Sequence, residues 1–499
     1  MGERVLVIGA GMAGLWTAIA LAAPGREIVM LDRDPAPPLG GPDAVFEDWR
    51  RRGVGHLRHS HAFLARMRTL VRDRHPALHE ALLAQGVREL GFEGVLTARH
   101  KQNYVPAPID RDLAILTSRR TTLELVMRGY AEALPGVSLR PETLVTGLTL
   151  TPGSPPNVTG LVLEDGTELS ADLVVDTAGR TSQARDWLAE AGVMLPQTSE
   201  PCGVIYFTRH YRLKPGQQEP PRGAGSTTGD LGYLKFGVFP GDNGCFSVTL
   251  CVPEVEDEIR KAIVNPDVFD AMCRELPGVA PWIEPARTAA ASRVFGMGQL
   301  DSYWCELAPN GQPAVTGFFP VGDSVVRTNP LYGRGCSFAA VSAHLLLDAL
   351  SAGDDPARRL LDYRAGLEAE LRPYYEVMRK ADRSASRRAR AALRPPTRPT
   401  LRARLMKSFL EDGVAIAIRE DVELLREFLR GFHMLEHPRA WLKRPKNLAK
   451  ILRAWGRGKA ANAALYPARG APGRREMLEA VGISATADLR LATAEAAAP

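Results

Sequence analysis

The opening of the chain alternates between apolar runs and glycine-containing turns. Residues 4–8 are mostly β-branched or aliphatic and are followed at once by glycine, which predicts a buried strand. A helical run begins at residue 12 and continues to about residue 23, where proline and glycine close it. Residues 27–31 predict a second strand, which ends at Asp32. Strand, helix and strand in this order predict one βαβ unit.

The rest of the chain changes character twice. Strand-like runs occupy residues 203–209, 232–239 and 245–252, whereas helical spacing dominates after residue 379. Prolines divide this last region into several helices, at positions 395, 396, 399, 438 and 445. One apolar stripe predicts a helix face packed against the main body, and it consists of Leu424, Leu425, Phe428, Leu429, Phe432 and Leu435. The Ala-rich residues 484–499 predict a frayed terminus.

The composition is that of a globular, cytoplasmic protein. Its 499 residues are 45% hydrophobic, which allows a large core and two to four domains. The six cysteines form no Cys-x-x-Cys pair, so they indicate neither a zinc site nor a disulfide framework. Residues 5–25 are uncharged and largely apolar, but their glycine spacing argues against a signal peptide or a membrane span. We therefore expect a protein that is soluble or peripheral to a membrane.

The net charge of +6 is distributed unevenly. Residues 379–459 hold 22 Lys and Arg against 8 Asp and Glu, or +14, which leaves −8 for the rest. Apolar residues and cations interleave in one part of this region, at Trp441, Leu442, Lys443, Arg444, Lys446, Leu448, Lys450, Ile451, Leu452, Arg453 and Trp455. Packing against the main body is the first interpretation, and contact with an anionic membrane surface is the second. Nucleic acid is not expected as a partner, because no reader motif accompanies the charge.

The first βαβ unit carries a glycine motif with a defined chemistry. Between its first strand and its helix lies Gly-x-Gly-x-x-Gly, made of Gly9, Ala10, Gly11, Met12, Ala13 and Gly14. The first glycine permits the tight turn, the second lets a pyrophosphate approach the backbone, and the third lets helix and strand pack closely. Asp32 follows Gly14 by 18 residues, which suits a carboxylate that binds a ribose, and Arg33 comes next. The unit therefore predicts a dinucleotide site.

Two later segments distinguish a flavin from a nicotinamide. Residues 171–180 form an apolar strand that runs into a turn of small residues, and residues 318–324 form another strand that closes with Gly322 and Asp323. A loop over residues 328–335 and a helical run over residues 336–350 follow. From residue 2 to about residue 350 the chain resembles the flavoprotein monooxygenases with the para-hydroxybenzoate hydroxylase fold.

This resemblance implies FAD as cofactor, with Asp323 on its ribityl chain. It places Pro330, Gly333 and Gly335 at the flavin pyrimidine ring, where a helix N-terminus stabilises the negative charge of reduced flavin. The turn over residues 175–180 is more similar to the squalene epoxidase, polyether epoxidase and geranylgeranyl reductase branches than to aromatic hydroxylases, which carry Asp-Gly at 178–179. The tryptophan-halogenase branch is not expected, because its Trp-x-Trp-x-Ile-Pro motif is missing.

The resemblance adds two groups of basic residues to the cofactor site. Relatives hold an Arg-His-x-His stretch against the cofactor, which implies that Arg58, His59 and His61 line the flavin site. A solvated polar turn and a metal site are the alternatives, although no nearby carboxylate or cysteine completes a tetrahedral zinc set. Arg120 lies four residues before an acidic residue, as in relatives whose arginine reaches the FAD phosphates or ribityl chain, and Arg119 is the second choice.

The domain organisation implied is an α/β, Rossmann-like FAD-binding domain with an antiparallel substrate domain and a helical extension. The FAD-binding domain takes residues 1–200 and 306–380, with part of the substrate layer inserted near 85–115. Residues 201–305 form the substrate domain, and residues 381–499 form the basic extension. Six aromatic residues could line an apolar pocket in the substrate domain, although core packing is the first interpretation for each: Tyr206, Phe207, Tyr233, Phe236, Phe239 and Phe246.

The activity implied is that of an FAD-dependent monooxygenase. A flavin C4a-hydroperoxide would pass one oxygen atom from O2 to an apolar isoprenoid, polyene or aromatic substrate, by epoxidation or hydroxylation. No second glycine motif follows a strand, so the sequence indicates no separate NAD(P)H domain. The resemblance implies that electrons come from NAD(P)H or from a partner reductase. A flavin-dependent reductase of isoprenoid double bonds is one alternative. A non-catalytic flavin protein that docks on a membrane or partner is the other.

Overall fold

The computed structural model describes residues 2–221, 226–393, 400–466 and 470–483. Within these ranges the strands are β1 (Glu3–Ile8), β2 (Arg26–Leu31), β3 (Ala62–Phe63), β4 (Arg88–Leu90), β5 (Ile115–Thr117), β6 (Val137–Arg140), β7 (Val145–Thr151), β8 (Asn157–Leu163), β9 (Glu168–Ser170), β10 (Leu173–Asp176), β11 (Gln197–Pro201), β12 (Val204–Leu213), β13 (Thr228–Asp230), β14 (Lys235–Pro240), β15 (Cys245–Pro253), β16 (Thr288–Ala290), β17 (Phe295–Met297), β18 (Asp301–Cys305), β19 (Phe318–Pro320) and β20 (Val326–Arg327).

The helices of the same ranges are α1 (Met12–Leu21), α2 (Gly41–Asp48), α3 (Ala65–Arg74), α4 (Pro76–Ala84), α5 (Ala98–Gln102), α6 (Arg120–Glu132), α7 (Ala184–Glu190), α8 (Asp257–Ala262), α9 (Pro266–Arg274), α10 (Gly335–Ser351), α11 (Pro356–Glu370), α12 (Arg372–Ala392), α13 (Leu401–Ser408), α14 (Ala415–Glu420), α15 (Val422–Phe432), α16 (Ala440–Lys443), α17 (Pro445–Ala461) and α18 (Arg474–Ala480). A π-helical segment, Phe409–Val414, joins α13 to α14.

A five-stranded parallel sheet forms the centre of the predicted FAD-binding domain, in the order β19-β10-β1-β2-β6. Its central strand is fully buried over Val5, Leu6 and Val7, which explains the continuous apolar run in the sequence. The predicted βαβ unit is confirmed, with α1 between the paired strands β1 and β2. The carboxyl ends of β1, β10 and β19 lie side by side, so the turns that follow them meet at one edge.

The predicted strands of the middle region form an antiparallel sheet in the order β13-β14-β15-β12-β16, with β17 also paired to β12. One face packs on α8, α9 and α18 through a second apolar core, which contains Phe207, Tyr233 and Phe246. Core packing is therefore confirmed for these three aromatic residues. Tyr206 lies instead in a separate small cluster with Met297. Three smaller three-stranded sheets, β3-β5-β4, β7-β8-β9 and β11-β18-β20, complete the β-structure of the described residues.

The last described third of the chain is helical, as its sequence predicts. The apolar stripe on α15 packs on the main body, because Leu425 joins Phe92 and Leu113 in one buried cluster. The predicted frayed end, residues 484–499, and the prolines at 395, 396 and 399 lie outside the described residues. Among the residues that are described, no helix is long and apolar enough to cross a bilayer.

Candidate functional site

The turns that meet at the carboxyl edge of the parallel sheet enclose the candidate cleft. Its first wall is the turn between β1 and α1. We call this turn, together with Asp32, the N-terminal arm. Gly9 has a φ of +94°. A Cβ on Gly14 would lie 2.0 Å from the Gly9 carbonyl oxygen, so only glycine lets α1 pack this closely. A Cβ on Gly11 would meet only Val54 Cγ2, at 3.9 Å. The protein therefore fills the space at Gly14 and leaves the space at Gly11 open to a ligand.

Asp32 is buried beneath this turn and is already paired. Its Oδ2 accepts a hydrogen bond from the Ala10 backbone N–H at 3.2 Å and forms an ion pair with Arg51. Arg51 also donates to Glu124 Oε2 at 2.7 Å. Burial raises the pKa of Asp32, although Arg51 acts in the opposite direction. Sequence reasoning missed Arg51, because nothing distinguishes it within the run of three arginines at residues 50–52.

The second wall is the segment 322–335, which we call the C-terminal arm. Gly322 has a φ of +64°, and a Cβ there would lie 2.8 Å from Ala13 Cβ, so the two arms touch. Asp323 lies between two glycine positions: a Cβ on Gly179 would be 3.6 Å from its Cβ, and one on Gly335 would be 3.9 Å from its Oδ1. Within the described ranges its carboxylate accepts no hydrogen bond, and burial raises its pKa.

Arg120 lies in the same cleft. Its Nε donates to Glu124 Oε1 at 2.6 Å, which matches the predicted spacing of four residues. Its Nη nitrogens make no hydrogen bond with any described residue, although the residue is buried. Burial lowers the pKa of His61 to about 3, and the nearby charge of Arg120 acts in the same direction. A buried guanidinium, a neutral imidazole and the Asp323 carboxylate therefore share one cleft.

Arg119 is not directed at this cleft. Its Nη2 lies 2.6 Å from Asp242 Oδ2, and its Nη1 lies 2.7 Å from Asp43. Its backbone N–H also donates to Asp242 Oδ1, at 2.7 Å. Asp242 belongs to the turn between β14 and β15, so Arg119 fastens the antiparallel sheet to α6.

The start of the C-terminal arm's loop is held by a buried carboxylate of α12. Asn329 donates through Nδ2 to Asp382 Oδ1 at 2.8 Å, and its own Oδ1 accepts from the Leu331 backbone N–H at 3.0 Å. The Tyr206 hydroxyl donates to the same Asn329 oxygen, and the Tyr332 hydroxyl donates to Asp382 Oδ1 at 3.4 Å. Burial raises the pKa of Asp382 to about 6. Nothing in the sequence marked Asp382, since its partners lie about fifty residues away or more.

The end of the same loop is held by Arg334, which is also buried. Its Nη2 donates to the Phe432 carbonyl at 3.2 Å, at the end of α15. Its guanidinium carbon lies 5.1 to 5.5 Å from the ring centres of Tyr332, Tyr374 and Phe432. No carboxylate of the described residues pairs with it, and burial lowers its pKa to about 10. Aromatic rings therefore compensate this cation, at a distance typical of cation–π contacts.

The antiparallel sheet roofs the cleft through a chain of polar side chains. His59 Nδ1 lies 3.0 Å from Thr208 Oγ1, which lies 2.7 Å from Thr249 Oγ1. Thr249 in turn donates to Ser60 Oγ at 2.7 Å, and Ser60 lies 2.7 Å from Ser247 Oγ. Burial lowers the pKa of His59 to about 4, so its ring is neutral at pH 7. The histidine segment thus contacts the roof, and the described residues include no group of three or more side chains arranged to hold a metal ion.

Three predicted cofactor contacts lie at the margin of the cleft. Arg58 donates to the carbonyls of Phe46 at 2.6 Å and of Trp49 at 2.9 Å, and so closes the end of α2. Arg33 is exposed and donates to Thr181 Oγ1 at 3.3 Å. Pro330 is exposed at the start of its turn. Cofactor contact by these residues stays a prediction, as does contact by His61, whose Nδ1 donates to the His59 carbonyl at 2.8 Å.

The cleft fits FAD on its own geometry. The open backbone at Gly11 and the amino end of α1 suit a pyrophosphate, since unpaired N–H groups meet its charge there. The half-buried Asp323 carboxylate and the Nη donors of buried Arg120 have no hydrogen-bond partner among the described residues, and a ligand would satisfy them. Gly333 has a φ of +64°, and a Cβ on Gly335 would meet only Asp323 Oδ1, at 3.9 Å, so the backbone at the start of α10 has open space beside it.

Comparison with known proteins agrees with this geometry. Residues 4–44 match the family described as FAD dependent oxidoreductase. The chain is 26% identical over 381 residues to Protein Rv3254 of Mycobacterium tuberculosis, covering 70% of this chain and 73% of that protein. It is built on the fold of FAD-dependent oxidoreductases.

Two solved structures show the extent of this fold. A triple mutant of the flavin-dependent brominase Bmp2 is 16% identical, with a TM-score of 0.57, and the match covers 91% of this chain and 99% of that chain. PqsL, a probable FAD-dependent monooxygenase from Pseudomonas aeruginosa, is 17% identical, with a TM-score of 0.54 over 79% of this chain and 99% of its own. The fold is therefore shared with flavin monooxygenases and halogenases. Neither comparison distinguishes the epoxidase and geranylgeranyl reductase branches.

Proposed function

We propose that this protein is an FAD-dependent monooxygenase that inserts one oxygen atom from O2 into an apolar substrate. The observation that carries the proposal is the convergence of the two arms beneath the antiparallel roof, where the Asp323 carboxylate and the Nη nitrogens of Arg120 have no hydrogen-bond partner among the described residues. The likeness to PqsL supports oxygen insertion as the activity. The turn over residues 175–180 supports an isoprenoid or polyene substrate ahead of a phenol.

Bound FAD would supply the oxygen-transfer chemistry, which no side chain of this chain can supply. The protein's own contribution is binding and shielding. Gly11 and the start of α1 would hold the pyrophosphate, and Asp323 would accept hydrogen bonds from the ribityl hydroxyls. The roof, joined to the histidine segment through Thr208 and Ser60, would keep bulk water from the reacting centre. NAD(P)H or a partner reductase would supply the electrons.

Halogenation is a second candidate activity. The observation that favours it is the extent of the match to the brominase, which covers 91% of this chain against 79% for PqsL. The missing tryptophan-halogenase motif places any such activity outside that branch.

The test is an anaerobic reduction of the FAD-loaded protein followed by rapid mixing with O2, read by flavin absorbance. A monooxygenase is expected to pass through an O2-dependent absorbance transient before oxidised flavin returns. With a panel of alkenes and phenols it should yield oxygenated products that take up ¹⁸O from labelled O2. Bromide-dependent brominated products would favour the second candidate. Saturated products without O2 consumption would favour an isoprenoid reductase, and a protein that binds no FAD would overturn the proposal.

A further inference from the structure

The exposed apolar side chains of this protein are concentrated on two helices of the extension. Of the fourteen large exposed hydrophobic residues in the described ranges, six lie on α13, on the π-helical segment after it or on α17. They are Leu401 (69% exposed), Leu405 (50%), Met406 (53%), Leu410 (51%), Leu448 (41%) and Leu452 (47%). Single exposed leucines are ordinary, but a cluster of this kind marks an interaction surface.

The two helices meet at one junction, so their exposed residues flank a common site. Trp455 Nε1 donates to Ser408 Oγ at 3.0 Å, and the ring of Phe409 lies 5.5 Å from that of Trp455. Leu448 and Leu452 occupy the two turns of α17 before Trp455. Before Ser408, every residue of α13 is exposed in the part of the chain that the structure describes. Trp441 and Ile451, from the same interleaved sequence, are buried, as its first interpretation predicts.

The charge around these leucines is mostly positive, although Glu411 follows Leu410 and lies 3.9 Å from Lys407. Residues 401–408 contain Arg402, Arg404 and Lys407 and no acidic residue. On α17, Lys446 and Arg453 are exposed, and neither forms an ion pair with another described residue. Other cations of α17 are paired, such as Lys450 with Asp421 at 2.5 Å. Apolar side chains interleaved with unpaired cations are typical of helices that lie in the surface of an anionic bilayer.

We propose that α13 and the exposed face of α17 form a docking patch for an anionic lipid bilayer. The patch consists of the six apolar residues together with Arg402, Arg404, Lys446 and Arg453. A bilayer is favoured over a second copy of this chain because two such patches would bring like charges together. It is favoured over nucleic acid because the exposed leucines and methionine would gain no burial there. The patch is separate from the FAD cleft, so this proposal does not depend on the proposed function.

Sedimentation of the full chain with vesicles tests the patch. Binding is expected to vesicles of phosphatidylcholine and phosphatidylglycerol, and not to phosphatidylcholine alone, and it should weaken as salt rises. Each of Arg402→Gln and Arg453→Gln should lower the partition coefficient about five-fold, which is the effect of about one cation at such a surface. The double variant L405S/M406S should lower it further, by about ten-fold or more, because both side chains would lose their burial in the bilayer.

Matched controls separate docking from folding. Leu39→Ser removes an exposed leucine outside the extension, and Lys101→Gln removes an exposed cation outside it; both should bind vesicles like the parent protein. Should L405S/M406S alter the circular dichroism spectrum, L448S/L452S takes its place. Equal sedimentation with neutral vesicles, no sedimentation at all, or full binding by both leucine variants would overturn the proposal. So would a dimer in light scattering that these variants dissociate, or retention on DNA in place of vesicles.

Discussion

The two arms of the cleft are built in different ways. The N-terminal arm is nearly self-contained, since its shape follows from three glycines within six residues and from strands that pair directly. The C-terminal arm depends on remote partners, because Asp382 of α12 holds its start and the end of α15 holds Arg334. A short local motif can therefore report the first arm fully. For the C-terminal arm, the local sequence predicts only that the segment exists, because contacts with the helical extension set its position.

The largest effects are expected from the glycines of the N-terminal arm. Gly14→Ala places a methyl group 2.0 Å from the Gly9 carbonyl oxygen, so it should destabilise the fold by about 3 kcal/mol. Gly11→Ala adds the same group where only Val54 is near, so the melting temperature of the apo-protein should not change. Its FAD dissociation constant should rise at least about ten-fold, because the pyrophosphate loses its approach to the backbone. Thermal melting measures the stability of the two variants, and flavin fluorescence measures their FAD affinity. If Gly11→Ala binds FAD as tightly as the parent protein, the pyrophosphate does not lie against Gly11.

A smaller effect is expected from substitution of Asp32, which pairs with Arg51, a residue outside the N-terminal arm. Asp32→Ala leaves Arg51 buried with Glu124 as its close partner and Asp34 3.5 Å away, and should destabilise the protein by about 2 kcal/mol. It should also weaken FAD binding by removing the ribose acceptor. Asp32→Asn is the matched control, since it keeps an acceptor for the Ala10 N–H and removes only the charge. Unchanged flavin content in purified Asp32→Ala would count against the ribose contact.

The sequence predicted the features that depend on neighbouring residues and missed those that depend on distant partners. The βαβ unit, the strand before Gly322 and the helix after Gly335 were predictable because each is a continuous pattern of a few residues. The Arg120–Glu124 contact was predictable because four residues make one helical turn. Arg51 and Asp382 were not, because a buried charge is recognised by its partners, and these come from other elements. The start of α3 at Ala65 was not predictable either, because Ala62 and Phe63 before it pair with β5 as a short strand.

The prediction that tests the C-terminal arm is a dependence of stability on pH, and it is expected from Asp382→Asn. Burial raises the pKa of Asp382 to about 6, from 3.8 in the unfolded chain, so the folded protein holds this proton more tightly. Its contribution to stability is therefore fully present below pH 3.8 and is lost as pH rises through 6. Asparagine keeps an oxygen acceptor for Asn329 and does not titrate. The melting temperature of the parent relative to Asp382→Asn should fall between pH 4 and pH 7, with each pKa unit worth about 1.4 kcal/mol.

Asp362→Asn, on the partly exposed Asp362–Arg358 pair, is the control for an ordinary surface carboxylate. A constant difference between the parent and Asp382→Asn across this range would mean that Asp382 is ionised throughout, and that the C-terminal arm is held by a permanent charge.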